Sequence, residues 1–206
     1  MATSDVEIVN RALDKLGHTQ PITSLTSDTS KAARMANRMF AFLRRKELSS
    51  NYWTFARKRD SLAADIVAPA FGWTTYYTLP SDFLTVFYLP GLSEPFGEYD
   101  DSTYSSIYEL EANPAGSLAI ATNAGAPLQI QYIADITDPN RFSPLFAEAL
   151  ACLLAQEMCE GLNQSNTKRQ LAIADYDKVI KEARYMDAIQ EPPVIMAPGT
   201  FDLSRY

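Results

Sequence analysis

Apolar residues recur at two different periods along this chain, and the change of period divides it into parts. Val6, Val9, Leu13 and Leu16 repeat at steps of three and four, behind Ser4 and Glu7 placed as a capping box and ahead of Gly17 as a stop. This predicts a first helix. A turn-rich connector follows over His18–Ser27, with Pro21 inside it. A second helix is predicted from about Asp28 to Ser49, with Ala32, Met35, Met39, Phe42 and Leu43 on its apolar side and the arginines on the other. From Trp53 onward the pattern shortens. Trp73–Leu79, Leu84–Leu89, Ile107–Glu111, Ser117–Thr122 and Leu128–Ile133 read as strands rich in aromatic and β-branched residues. Turn chemistry separates them at Pro80-Ser81-Asp82, Pro90-Gly91, Asn113-Pro114-Ala115-Gly116 and Asn123-Ala124-Gly125, and Ser117–Ile133 reads as a hairpin.

Helical spacing returns at Ser143-Pro144, an N-cap followed by proline at the first helical position, and continues to Glu160 with Gly161 as the stop. A further helix starts at Asn166 or Thr167 and runs to about Asp187. Its apolar side is Leu171, Ala172, Tyr176, Val179, Ile180, Ala183 and Met186. Prolines 192, 193 and 198 prevent the final stretch from being helical, yet it carries Val194, Ile195, Met196, Phe201, Leu203 and Tyr206. So many apolar residues in an extended segment predict an arm that docks on something. The expected fold is α+β: a mainly antiparallel bundle of about four helices (1–60 and 141–189), an inserted small antiparallel β domain (61–140) and an extended C-terminal arm (190–206). Trp53 and Phe55 are expected in the core where bundle and β unit meet, together with Tyr77, Leu79 and Phe83.

Charge sharpens this division. The net charge is −7, but Lys31, Arg34, Arg38, Arg44, Arg45, Lys46, Arg57, Lys58 and Arg59 all fall within residues 31–60, offset by Glu47 and Asp60. Residues 61–140 contain no Lys or Arg, against Asp65, Asp82, Glu94, Glu98, Asp100, Asp101, Glu109, Glu111, Asp135 and Asp138. Such a surface repels nucleic acid. The basic stretch is either a solvated helix face or a seam where one subunit meets an acidic neighbour. For the seam, the candidate contact residues are Arg34, Arg38, Arg44 and Arg45.

The search for catalytic chemistry yields no candidate. The glycines are scattered singly, with no phosphate-binding loop, and neither an HExxH nor a CxxC occurs. Cys152 and Cys159 lie seven apart on one predicted helix, about 10 Å by the helical rise, too far for a disulfide. They read as packed thiols, and the single histidine, His18, reads as a loop residue. Carboxylate pairs at Asp100-Asp101, Glu109 with Glu111, and Asp135 with Asp138 carry no flanking signature of an acid and base, and a calcium site at Glu98–Asp101 is equally unsupported. No catalytic, cofactor-binding or metal-ligating residue is expected. No apolar run is long enough for a membrane span and the N-terminus lacks a basic and apolar leader, so no membrane partner is expected.

Several segments resemble one family. Val9-Asn-Arg-Ala-Leu-Asp-Lys-Leu-Gly17 followed by Pro21-Ile-Thr-Ser-Leu25 is similar to the opening of bacteriophage head-to-tail adaptor (connector) proteins, called tail tubular protein A in short-tailed phages. The similarity continues in Trp53-Thr-Phe-Ala-Arg-Lys-Arg59 and Tyr77-Thr-Leu-Pro-Ser-Asp-Phe-Leu84, then in the run from Tyr132 to Phe146 and the helix Ala147–Ala155. It is weakest over Gly91–Glu109. The resemblance implies a structural protein of the virion head–tail junction, made in the host cytoplasm. It would form a ring, typically a dodecamer, between the phage portal ring and the tail nozzle or next tail protein, and help retain and conduct genomic DNA without reading its sequence. It further implies a helical bundle, an inserted β domain and a C-terminal arm that grips the portal, with Val194, Ile195, Met196, Phe201, Leu203 and Tyr206 as its apolar anchors. The alternatives are another connector subunit (a stopper or completion protein), a virion-associated peptidoglycan hydrolase, and a standalone DNA-binding protein, which the acidic net charge disfavours.

Overall fold

The computed structural model describes residues 4–90 and 108–190. Helix α1 (Asp5–Lys15) begins where its capping box predicts, the Ser4 hydroxyl accepting the Glu7 N–H at 3.1 Å. Asn10 then bonds both backbone groups of Ile22, donating to its carbonyl and accepting its N–H, which pins the connector against the helix. Helix α2 (Lys31–Ser49) is capped by Ser30. It starts later than the sequence suggests because Asp28 bonds the Ser30 N–H and shapes the turn before the cap.

Helix α3 (Pro144–Leu162) is apolar nearly all round, with ten buried residues from Phe146 to Cys159, and it packs against α1, α2 and α4 (Asn166–Ile189). Gly161 does not stop α3. It lies inside the helix against α2, where a Cβ would overlap the thioether end of Met35. The α3–α4 turn also holds α1: Asn163 and Lys168 both donate to the Leu16 carbonyl, at 2.7 and 2.6 Å.

Between α2 and α3 lie two three-stranded antiparallel sheets. One has the order β1 (Arg57–Leu62), β6 (Leu128–Ala134), β3 (Phe83–Tyr88); the other has β2 (Thr75–Thr78), β5 (Leu118–Thr122), β4 (Glu109–Ala112). Two expectations change here. First, β1 begins inside the basic run, so the boundary at 60/61 falls within a strand. Second, Ser117–Ile133 is not a hairpin, because both edges of β5 are taken by β2 and β4 and both edges of β6 by β1 and β3. The connecting residues cannot continue a ladder. Asn123 accepts the Thr74 N–H, the Ala124 carbonyl accepts the Tyr77 hydroxyl, and Pro127 has no N–H to donate. The true hairpin is β4–β5, closed by Asn113, whose side chain accepts the N–H groups of Ala115 and Ser117 while Gly116 takes a positive φ of 81°.

One continuous cluster of buried side chains runs from the helices into both sheets, through Trp53, Tyr77, Leu79, Ile120, Ile130 and Ile133. Phe55 and Phe83 pack against it half-buried, so the expected junction core is in place. The arm residues Val194, Ile195, Met196, Phe201, Leu203 and Tyr206 lie outside the described residues, as does Gly91–Ile107. Among the described residues no helix is long and apolar enough to cross a membrane.

Candidate functional site

Helix α2 carries the candidate contact residues, and its two faces divide them. Ala36, Phe40, Leu43, Arg44 and Glu47 follow one another at helical steps on the buried face. Directly opposite, Lys31, Arg34, Arg38, Phe42 and Arg45 form an exposed stripe. Two expectations are corrected. Phe42 is not on the apolar side but 69% exposed, and Arg44 is not on the solvent side but buried.

Arg44 is held there by Asp135 at the end of β6. Its Nε and Nη2 donate to Oδ1 at 3.1 and 2.9 Å, and Nη2 reaches Oδ2 at 3.1 Å. Arg45 donates to the other side of the same carboxylate at 2.8 Å while most of its side chain stays in solvent. The polar chain continues through the backbone, the Asp135 N–H donating to the Asp82 carbonyl at 2.7 Å. The Asp82 carboxylate in turn accepts from Lys58 and from the Tyr132 hydroxyl. Arg57 lies over the Phe87 ring, 4.0 Å from its centroid. Arg44 and Arg45 therefore fasten α2 to the first sheet, while Arg57 and Lys58, on β1, make their contacts to Phe87 and Asp82. Arg34 and Arg38 remain exposed on the outer stripe.

The far end of α2 meets α4. The Glu47 carboxylate, 1% exposed, accepts from Tyr176 at 2.7 Å and Ser50 at 3.1 Å, and its backbone carbonyl accepts the Trp53 indole N–H at 3.0 Å. Burial first, then donation to Glu47, pushes the Tyr176 hydroxyl well above its ordinary range. Asp187, in the last turn of α4, caps the short 3-10 turn Thr54–Ala56, accepting the Thr54 N–H and its hydroxyl, the latter at 2.6 Å. This ties the end of α4 to the turn that precedes β1. Sequence reading missed Glu47 and Asp187, acids on otherwise buried helix faces. The legible signal was their helical register with Leu43 and Ala183.

Glu98, Asp100 and Asp101 lie outside the described residues, and the chemical candidates within them have structural partners. Glu109 accepts the Trp73 indole N–H and Asp138 caps the 3-10 turn at Asn140. Cys152 and Cys159 are free and buried, and burial above all pushes the Cys152 thiol up. His18 Nδ1 lies 3.1 Å from the Gln20 carbonyl. Among the described residues no group of three or more His, Cys, Asp or Glu is placed to hold a metal ion. No protein-family model and no curated protein matches the chain.

A pH dependence follows from three carboxylates. Burial alone would raise Asp82, Asp65 and Glu148. Lys58 and Tyr132 outweigh it at Asp82, Asn113 and Thr78 at Asp65, and Lys15 and Arg11 at Glu148, so each is held below its ordinary range. A depressed folded pKa adds stability that is complete above the unfolded pKa and is lost as pH falls through the folded one. The melting temperature is expected to hold above about pH 5 and to fall steadily between about pH 4 and pH 2. A thermal-melting series checks this, and an unchanged melting temperature down to about pH 2 contradicts it.

Proposed function

We propose that this chain is a structural head-to-tail adaptor of a bacteriophage, a subunit of a ring between the portal and the next tail component. It sits at the head–tail junction of the virion and leaves a passage for DNA. The observation that carries the reading is the order of parts: two helices, a small antiparallel β unit, then two more helices packed with the first pair. That is the layout which the resemblance of the Val9–Leu25, Trp53–Arg59, Tyr77–Leu84 and Tyr132–Ala155 segments implies. The ring subunits meet through the outer stripe of α2, with Arg34, Arg38 and Arg45 as contact residues. Arg44, spent on Asp135, is dropped from that set.

The arm, with Val194, Ile195, Met196, Phe201, Leu203 and Tyr206, binds the portal as an extended segment whose prolines reduce the entropy lost on ordering. Asp187, in the last turn of α4 before the arm's sequence, is bonded to Thr54. Co-sedimentation with portal rings from the same genome tests this. The full chain is expected to pellet with the rings, and a chain ending at Ile189 to stay in the supernatant while keeping the same circular dichroism. Equal pelleting of both refutes the arm's role.

A further inference from the structure

Two exposed apolar features stand apart on this molecule, and their electrostatic surroundings have opposite sign. The first is the loop between β1 and β2. Ile66 is fully exposed, and Phe71 and Val67 are 89% and 56% exposed. Nothing in the loop's anchoring is loose. At one end Asp65 donates its N–H to the Tyr76 carbonyl at 2.9 Å, and its carboxylate accepts from the Thr78 hydroxyl at 2.8 Å and from Asn113 at 2.9 Å. At the other end the Trp73 N–H donates to the Phe71 carbonyl, the Trp73 indole N–H to Glu109, and the Thr74 N–H to Asn123. A loop tied at both ends has already lost much of the entropy that binding would otherwise cost. The acids at its anchor points are Asp65 itself, Glu109 through Trp73, and Glu111 beside Tyr76, and no cation occurs in the sequence between residues 61 and 140.

The second feature is Phe42, exposed between Arg38 and Arg45 on the stripe that Lys31 and Arg34 begin. An aromatic ring surrounded by arginines has the composition of an interface anchor. We propose that these two features are the two sides of one seam: the Ile66–Phe71 loop of one copy packs on Phe42 of a second copy, with the arginine stripe facing the acidic surroundings of the loop. The occupant of each patch is a second copy of this chain, argued from the complementary charge. Each copy then offers its loop to one neighbour and its Phe42 to another, the head-to-tail contact that closes into a ring. The inference rests on the ring reading and names its subunit contact.

A cysteine ladder tests it. Full-length chains carrying Phe42→Cys, Phe71→Cys or both are assembled on portal rings and treated with a short bis-maleimide. Both positions are exposed, and Cys152 and Cys159 are buried, so the single variants report any background. The double variant is expected to give a covalent ladder of multimers, and each single variant only monomer. Dimers from Phe42→Cys alone mean a two-fold contact and overturn the seam. A double variant that stops at dimers shows that one pair of copies uses both patches reciprocally, and overturns the ring seam. Portal-bound double variant without a ladder also overturns it, leaving the ring reading standing. Wild-type chain that fails to bind the portal refutes the ring reading itself. As a second measurement, Phe71→Ser is expected to weaken subunit association at least about tenfold with an unchanged melting temperature. Wild-type binding to phosphatidylcholine vesicles that Phe71→Ser abolishes assigns the loop to a lipid surface and overturns the proposal.

Discussion

Replacing Trp53 with alanine is expected to destabilise the protein by about 3–5 kcal/mol, the range for deleting a large aromatic side chain from a packed core. Trp53 is wholly buried between α2 and β1, with its ring 5.1 Å from Phe146 and 5.8 Å from Phe55. Phe142 and Phe55 complete the cluster around Phe146, at 5.0 and 5.1 Å. Alanine there would leave a cavity that rings on separate elements cannot all close, and would leave the Glu47 carbonyl without its indole donor. Trp53→Phe separates the two effects, keeping most of the packing and losing a hydrogen bond worth about 0.5–1.5 kcal/mol, since the Glu47 carbonyl still accepts the Ser50 N–H and hydroxyl. Urea unfolding followed by circular dichroism measures both. A cost below about 1 kcal/mol for Trp53→Ala would contradict its place at the centre of the junction.

Asp135→Ala is expected to cost about as much, 3–5 kcal/mol, for an electrostatic reason. Arg44 and Asp135 are 8% and 10% exposed at their side chains. Removing the carboxylate strands a guanidinium in the interior, whereas Arg44→Met combined with Asp135→Leu removes both charges and is expected to be nearly neutral. The contrast with Arg11 and Glu148 decides which pairs matter. Arg11 is 63% exposed at its side chain, and a pair so open to solvent contributes about 0–1 kcal/mol. If Arg11→Ala proves as costly as Asp135→Ala, burial is not what gives the Arg44 pair its weight.

Helices α1 and α3 were legible because cap and apolar spacing agree at their starts: Ser4 with Glu7, and Ser143 with Pro144. The limits of such reading have physical causes. Strand β1, Arg57-Lys-Arg-Asp-Ser-Leu62, is a sheet edge with polar side chains, so its hydrogen bonding to β6 leaves no alternating apolar signal. The β5–β6 reading failed because a short link between two strands looks the same whether it closes a hairpin or carries the chain to another sheet.

Arg44 was misplaced for a different reason. Its partner lies 91 residues away, and only the tertiary fold brings Asp135 to the buried face. Gly161 illustrates the same limit, since glycine serves close helix approach as readily as a C-cap. On the proposed contact surface, the arginines of the stripe were visible in the sequence. Phe42 and the Ile66–Phe71 loop were not, because exposure of an apolar residue is a property of what fails to cover it.

Electron cryo-microscopy of portal rings mixed with the full chain tests the adaptor reading most directly. Expected is a closed ring of this chain, coaxial with the portal on its tail side, with helical density against the portal and a central passage left open. Portal rings that stay bare in the presence of excess folded chain would contradict the reading.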